Sequence, residues 1–393
     1  MKNGFDIIYL PLHRDMPKNI ASEIYWAFVT FHNISSLFNT CGCVGWIDEN
    51  VVSLFKDKKL INLNIDHNRT LKNDLKFYMQ ILKIGILYGK KSKVIHHYGS
   101  FGYEMGFNPY FLWPLKNKES KYIVGPILYP TYDDIDTFMQ VNNSSKFYKY
   151  GFVSRMVFSK LHELTLKNST TIIYDSTITK NLYERKYNFI REKKSVVMPG
   201  GGVDENDFEF KIKKPLKRAL ILGIASNLIK RKNVDKIIIA ISKRSDEIIL
   251  KILGNGPEMV NLKNLSKTLG IEEKVEFLGF REHSLINSFY NEIDYYVALD
   301  EGPSLCKISL QEAIMSGTPT LSGEPNMGNG IKIEDWGVIV NPKSESSLNI
   351  GINELVKNYD KIEEISLKTR FFAEKTVSTK SVINELSKIY NEK

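Results

Sequence analysis

Two doubly wound α/β domains are the fold class this sequence predicts, and three observations carry it. Short apolar runs of strand length alternate with longer helical patterns in both halves of the chain, which calls for parallel sheets covered by helices on both faces. At 393 residues the chain exceeds what one ordinary core organises. Near the middle, the cluster Pro199-Gly200-Gly201-Gly202 and the charged, proline-containing stretch from Lys211 to Lys217 interrupt the alternation. The expected domains are therefore residues 1–204 and 215–379.

The elements follow in order. Phe5 to Leu10 (FDIIYL) is a short apolar run suited to a buried parallel strand. Ala21 to Leu37 carries aromatic and aliphatic residues at helical spacing. Lys93 to His96 is a strand that ends in the polar, glycine-containing stretch His96 to Gly102, and Tyr122 to Val124 is a strand running into Gly125-Pro126. Gly151 to Asn168 reads as an amphipathic helix, Thr170 to Tyr174 as a strand, Ser176 to Lys186 as a helix and Ser195 to Met198 as a strand. In the second half, strands are expected at Arg218–Gly223, Ile248–Leu253, Val275–Leu278, Tyr295–Leu299, Thr318–Ser322 and Val338–Val340. Helices fall between them at Asn233–Lys243 and at Glu258–Leu269, the latter with Gly270 placed to cap its end.

Composition narrows the function classes. Hydrophobic residues at 42% with 25% charged residues belong to a globular protein. No apolar run approaches the roughly 20 residues that span a bilayer. The N-terminus, MKNGFDIIYLPLH, lacks the features of a signal peptide and reads as a first strand. Cys41, Cys43 and Cys306 cannot all pair with one another, and Cys41-Gly-Cys43 lacks metal-site spacing, so reduced thiols and a cytoplasmic location are expected. The formal charge of +9 suits anionic partners: nucleotide diphosphates, lipid phosphates or an anionic membrane surface. Lys90 to Lys93 and Arg185 to Lys194 are interrupted basic stretches rather than a dense block, so nucleic acid is not expected. A peripheral contact with the cytoplasmic membrane face is retained as an expectation.

Open α/β sheets take their ligands beyond the carboxyl ends of the strands, which singles out four loops of the second half. Gly223 to Asn233 ends a strand, carries Lys230, Arg231 and Lys232, and enters a helix. Cations beside a helix N-terminus suit a diphosphate, although three solvated charges on a turn would look the same. Gly254-Asn255-Gly256-Pro257-Glu258 is a glycine turn that permits close approach of a ligand, in a common pattern. Phe277-Leu278-Gly279-Phe280 ends a strand, a pattern that a core strand would also give. In the fourth loop, Lys307 and the N–H groups of Ile308, Ser309 and Leu310 precede Glu312-Ala-Ile-Met-Ser-Gly-Thr-Pro. Phosphate at the helix start is the functional reading here, and a carboxylate complementing the helix dipole is the bland one.

These four loops, in this order over about 100 residues, resemble the nucleotide-sugar half of GT-B glycosyltransferases, most closely retaining glycosyltransferase family 4 (glycosyl transferases group 1). The resemblance implies two Rossmann-like domains facing a central cleft, with the helix over residues 380–393 packing back on the first. It implies transfer of a sugar from a nucleotide diphosphate sugar (UDP- or GDP-linked) to a hydroxyl of a glycan or lipid-linked glycan. Anomeric configuration is retained and no metal is obligatory. Residue by residue, Lys232 matches the diphosphate lysine, while Asn227 stands where the group carries arginine, with Arg231 or Lys230 as substitutes. Gly254 belongs to the G-x-G-P-E turn, Phe280 lies where the base is cradled, and Glu312 matches the glutamate that holds the ribose. The companion glutamate, which contacts the donor sugar, is replaced by Ser304, with Glu301 three positions upstream as the alternative. His96 or His97, with His97 favoured, ends the strand where relatives keep a histidine facing the sugar. His13 and Arg14, after the first strand, are candidates for the donor phosphate. Asp133-Asp134-Ile135-Asp136 mimics a metal-binding signature of another glycosyltransferase class but reads as a solvated turn. A catalytically silent GT-B scaffold that binds nucleotide or glycan is the main alternative, followed by a protein that binds nucleic acid or a membrane surface through charge.

Overall fold

The computed structural model describes residues 4–16, 22–55, 58–66, 70–98, 106–129, 151–216, 218–245, 247–300, 302–324, 327 and 329–392. Contacts divide the chain into one unit of residues 1–202 with 382–393 and a second of residues 203–381. The Asp133–Asp136 turn and Glu301 lie outside the described residues.

The first unit is built on seven strands: β1 (Ile7–Met16), β2 (Thr40–Ile47), β3 (Leu60–Asn62), β4 (Val94–His97), β5 (Lys121–Ile127), β6 (Thr171–Tyr174) and β7 (Lys194–Val197). They lie in the order β3-β2-β1-β4-β5-β6-β7, all parallel. Alternation along each strand feeds two cores. Ile8, Leu10, Ile95, Val124 and Ile172 enter one, while Ile7, Tyr9, Val94, Ile123 and Ile173 enter the other. A sheet with both faces apolar must be covered on both sides. Helices α1 (Ser22–Leu37), α2 (Leu71–Tyr88), α3 (Gly151–Asn168) and α4 (Thr177–Lys186) belong to this unit. Ser176 caps α4 by accepting from the Thr179 N–H at 3.1 Å. The thiols of Cys41 and Cys43 are buried and unbridged, and burial pushes the Cys41 thiol up to about 12.

The second unit repeats the plan with β8 (Leu220–Ala225), β9 (Ile248–Leu253), β10 (Val275–Gly279), β11 (Tyr295–Ala298), β12 (Thr320–Gly323), β13 (Ile331–Glu334) and β14 (Gly337–Val340). Their order is β10-β9-β8-β11-β12-β14-β13, parallel except for the β13–β14 hairpin. Leu222, Ile224, Leu250, Ile252 and Val297 face one core; Ala225, Tyr296, Ala298 and Ile339 face the other. The helices are α5 (Val234–Ser242), α6 (Met259–Thr268), α7 (Ile286–Glu292), α8 (Ile308–Met315), α9 (Glu345–Lys357) and α10 (Ile362–Thr376). Gly270 follows α6 at φ +65°, the left-handed value that an αL cap requires.

The last helix, α11 (Thr379–Asn391), returns to the first sheet. Its Tyr390 hydroxyl lies 3.0 Å from the Tyr9 hydroxyl and 2.8 Å from His96 Nδ1. One strand limit differs from the sequence reading in an informative way. β1 continues past Leu10 to Met16, so His13 and Arg14 are strand residues and not loop residues. The polar run His13-Arg14-Asp15 is tolerated because Arg14 is neutralised from within. Its guanidinium meets Asp15 at 2.5 Å, Asp74 at 3.5 Å and the Asp66 carbonyl at 3.3 Å, and it lies 5.1 Å over the Phe77 ring. Arg14 is 1% exposed, so the expectation that it reaches a donor phosphate is corrected: its charge is held inside the fold.

Candidate functional site

β8 lies between β9 and β11, so the chain leaves β8 toward one side of the sheet and leaves β11 toward the other. A crevice at such a switch point is where open α/β sheets bind ligands. A pocket occupies this place, lined by Ser226, Lys232, Asn233, Ala298, Asp300 and Ser309 among others.

The loop after β8 is shaped by its neighbours. Gly254 sits at φ +133°, and a Cβ there would lie 1.9 Å from the Ser226 carbonyl oxygen. A Cβ on Gly256 would lie 2.4 Å from the Leu228 carbonyl. Glycine is therefore what allows the β8 and β9 loops to pack, tied by Leu228 N–H to Asn255 O at 2.8 Å and Glu258 N–H to Leu228 O at 3.0 Å. Asn227 is exposed beside Gly256, and Arg231 is exposed on the 3₁₀ turn Lys230–Lys232. Asn233 ends that turn in the left-handed conformation and donates from Nδ2 to the Leu299 carbonyl at 3.0 Å, joining the β8 and β11 loops.

Two lysines flank one buried carboxylate. Lys232 Nζ is 3.1 Å from Asp300 Oδ2 and Lys307 Nζ is 3.9 Å from Asp300 Oδ1. Burial alone would raise the Asp300 carboxyl, but Lys307, Lys232 and Arg231 outweigh it and hold it below the ordinary carboxylate range. Burial pushes the Lys307 ammonium down against the pull of Asp300. The expectation that Lys307 grips phosphate is revised. Its amine donates to Ala298 O at 3.3 Å, Ser322 Oγ at 3.2 Å and Gly323 O at 2.7 Å, so it ties strand ends together. Leu310 changes role as well: it is buried in the core and its N–H donates to the Lys307 carbonyl at 3.0 Å. Ile308 and Ser309 open α8, and among the described residues their N–H groups take no protein acceptor. With Lys232 and the exposed Arg231 they offer donors to an anion.

Glu312 is 6% exposed and held from two sides. His283 Nε2 lies 2.8 Å from Oε1, and the Tyr290 hydroxyl donates to Oε2 at 2.9 Å. The hydrogen bond to Glu312 raises the His283 pKa against partial burial. A carboxylate offers about four acceptor positions, so two remain for a ligand hydroxyl pair. Behind Tyr290, the buried Lys213 amine donates to its carbonyl at 2.6 Å, and burial lowers that amine to about 7. Phe280 follows Gly279 (φ +72°) and stands 77% exposed. Ser304 opens the 3₁₀ turn Ser304–Cys306 between β11 and α8.

In the first unit the two histidines differ in their surroundings. His96 is fully buried, with Nδ1 on Tyr390 and Nε2 2.8 Å from the Gly125 carbonyl, and burial lowers it to about 3. It is a neutral structural residue. His97 is the last residue of β4, at the carboxyl end of the sheet. Sequence reasoning singled out neither Asp300 nor the His283–Tyr290 pair. Asp300 had a signal, as the first acid after the apolar run Tyr295–Leu299. His283 and Tyr290 had none, because only the fold brings them to Glu312.

The comparisons with known proteins bear on the family and the fold. The profile of the family described as "Glycosyl transferases group 1" matches residues 204–370. In sequence, 112 residues are 26% identical to an alpha-monoglucosyldiacylglycerol synthase of Streptococcus pneumoniae, covering 28% of this chain and 25% of that one. Over 147 residues, 31% are identical to the GtfA subunit of a UDP-N-acetylglucosamine–peptide N-acetylglucosaminyltransferase of the same species, covering 37% and 28%. The matches thus span only about a quarter of these relatives' own lengths. Among solved structures, a glycosyltransferase from Rickettsia africae superposes with a TM-score of 0.66 at 16% identity, over 99% of this chain and 98% of that one. The HepE protein of Anabaena, in complex with UDP and glucose, does so with a TM-score of 0.65 at 13% identity, over 98% and 99%. The chain thus has the GT-B fold, and its residues 204–370 match the model of the glycosyl transferases group 1 family.

Proposed function

We propose that the protein is a retaining glycosyltransferase that moves a sugar from a nucleotide diphosphate sugar, UDP-linked in the first instance, to a hydroxyl of a glycan or lipid-linked glycan. The observation that carries this reading is the switch-point pocket, lined by Lys232 and by Ser309 in the first turn of α8, the helix that carries Glu312 one turn further on. Lys232, Arg231 and the N–H groups of Ile308 and Ser309 would hold the diphosphate. Gly254 would let it approach the backbone, Phe280 would meet the base, and Glu312 would accept from the ribose hydroxyls. As the bond from the anomeric carbon to the phosphate oxygen breaks, negative charge grows on the leaving diphosphate, and fixed donors stabilise that charge without reorganising. The acceptor oxygen replaces it on the same face.

Titration calorimetry with UDP, GDP, ADP and UDP-sugars tests the reading. UDP should bind, and Lys232→Ala should weaken it about tenfold or more, the worth of a charge-assisted hydrogen bond. If no nucleotide binds, the reading fails. Asn227 and Ser304, which replace an arginine and a glutamate of the family, favour one second reading: a silent nucleotide-binding scaffold. Binding without donor hydrolysis or transfer would select it.

A further inference from the structure

We infer that helix α2, with the turn that follows it, is a docking surface for an anionic bilayer. The helix has two faces of different character. Toward the fold it places Phe77, Ile81, Ile84 and Gly85, and a Cβ on Gly85 would lie 2.3 Å from the Tyr110 ring. Toward solvent, Leu75 and Met79 are 58% and 64% exposed, followed by Ile86 and Leu87 at 36% and 54%. Between and beyond these lie Lys72, Lys76, Lys83, Lys90 and Lys91, all exposed. The positions 72, 76, 79, 83, 86 and 90 are spaced four and three apart, which is one stripe along a helix.

Two features separate this stripe from an ordinary solvated face. First, the one acid of the helix, Asp74, is buried and turned toward Arg14, 3.5 Å away, so the exposed face is uniformly cationic. None of the five lysines is in an ion pair among the described residues, whereas many other surface lysines are. Second, large apolar side chains alternate with the cations. That mixture complements a surface that presents negative headgroups over an apolar interior, and it suits neither plain water nor a purely charged polymer. The Arg14–Asp74 contact also ties the N-terminal end of α2 to the end of β1, so docking would bring the carboxyl ends of the first sheet close to the bilayer.

The test is co-sedimentation of the full chain with vesicles of phosphatidylglycerol and phosphatidylcholine, and with phosphatidylcholine alone. It needs neither nucleotide nor sugar, so its outcome is independent of the glycosyltransferase reading. The protein should pellet with the anionic vesicles at about 0.1 M salt, and less so at about 0.5 M as screening shortens the interaction range. The double variant Lys76→Glu/Lys83→Glu should lower the partition coefficient on the order of 25-fold or more, about fivefold per lysine. Leu75→Ser/Met79→Ser should lose the binding that survives high salt. All four positions are exposed, so circular dichroism and Tm should match the parent chain. The inference is overturned if the protein stays in the supernatant, binds neutral vesicles equally, or sediments unchanged in both variants. It is also overturned if only the charge variant matters, which marks a generic polyanion site. Light scattering supplies the last check: a dimer that the apolar variant splits, with no vesicle binding, would assign the face to a second copy of the chain.

Discussion

His283 Nε2 stands 2.8 Å from Glu312 Oε1, a solvent-facing imidazole latched onto a buried carboxylate. The hydrogen bond that it donates to Glu312 lifts the histidine above its ordinary value of 6.5. The contact therefore stabilises fully below about pH 6.5 and fades as pH climbs through the raised value. His283→Ala should lower Tm more at about pH 6 than at about pH 9. The side chain is 69% exposed, so solvent screening keeps the loss below about 1 kcal/mol, roughly 2–4 °C. Calorimetric scans at the two pH values check this; equal losses would mean that the ring acts by packing alone. In Glu312→Gln the histidine loses its charged partner, and the pH dependence of the His283→Ala effect should vanish.

The Lys232–Asp300–Lys307 cluster gives a larger effect. Asp300 is 7% exposed and faces both ammonium groups. Asp300→Asn leaves two neighbouring cations without their counter-charge. Removing one partner of a buried pair costs about 3 kcal/mol or more, on the order of 10 °C here. Added pyrophosphate should recover more Tm in the variant than in the parent chain, because an anion can take the place of the lost charge. A variant that melts like the parent would show that the lysines rearrange freely, and Lys232 could not then be a preorganised donor.

What the sequence revealed and what it hid have a common physical origin. The β8 to β12 strands were legible because buried parallel strands are continuous apolar runs, and Gly254, Gly270 and Gly279 marked turns that need positive φ. Lys232 stood out because three consecutive cations follow a strand end and precede a helix. β1 was cut short at Leu10 because Arg14 looks like a loop residue until Asp74, sixty positions on, neutralises it. The same kind of distance hid the roles of Lys307 and Glu312. Their side-chain partners, Gly323, Ser322, His283 and Tyr290, are fixed by sheet register and helix packing, and no window of neighbouring residues contains that information.

Tyr390 offers a check on the return of the final helix. Its hydroxyl meets both Tyr9 and His96, and His96 is fully buried. Tyr390→Phe removes the partner of His96 Nδ1 without opening a cavity. An unsatisfied buried polar atom costs about 1–3 kcal/mol, so the first unit should melt earlier. Amide exchange should speed up in the last helix and in β1 and β4, while UDP affinity, which the proposed site assigns to the second unit, should hold. A fall in UDP affinity equal to the loss of stability would contradict that separation.

Lys213 gives a prediction of opposite sign. The residue is 5% exposed, its amine is bonded to the Tyr290 carbonyl, and burial brings that amine down to about 7 from an ordinary 10.5. Between those values the unfolded chain binds a proton that the folded chain does not, so stability rises with pH across that window. Lys213→Met keeps the apolar stem and removes the titration. The Tyr290 carbonyl still accepts from the Thr318 hydroxyl at 2.8 Å, so no acceptor is stranded. The variant should therefore be more stable than the parent at about pH 6, and the advantage should shrink toward about pH 10 as the parent's amine loses its proton in both states. Other titrating groups are common to both chains, so the difference in Tm isolates Lys213. If the variant is less stable by the same amount at every pH, the amine is charged and well solvated through its hydrogen bond, and the burial argument fails.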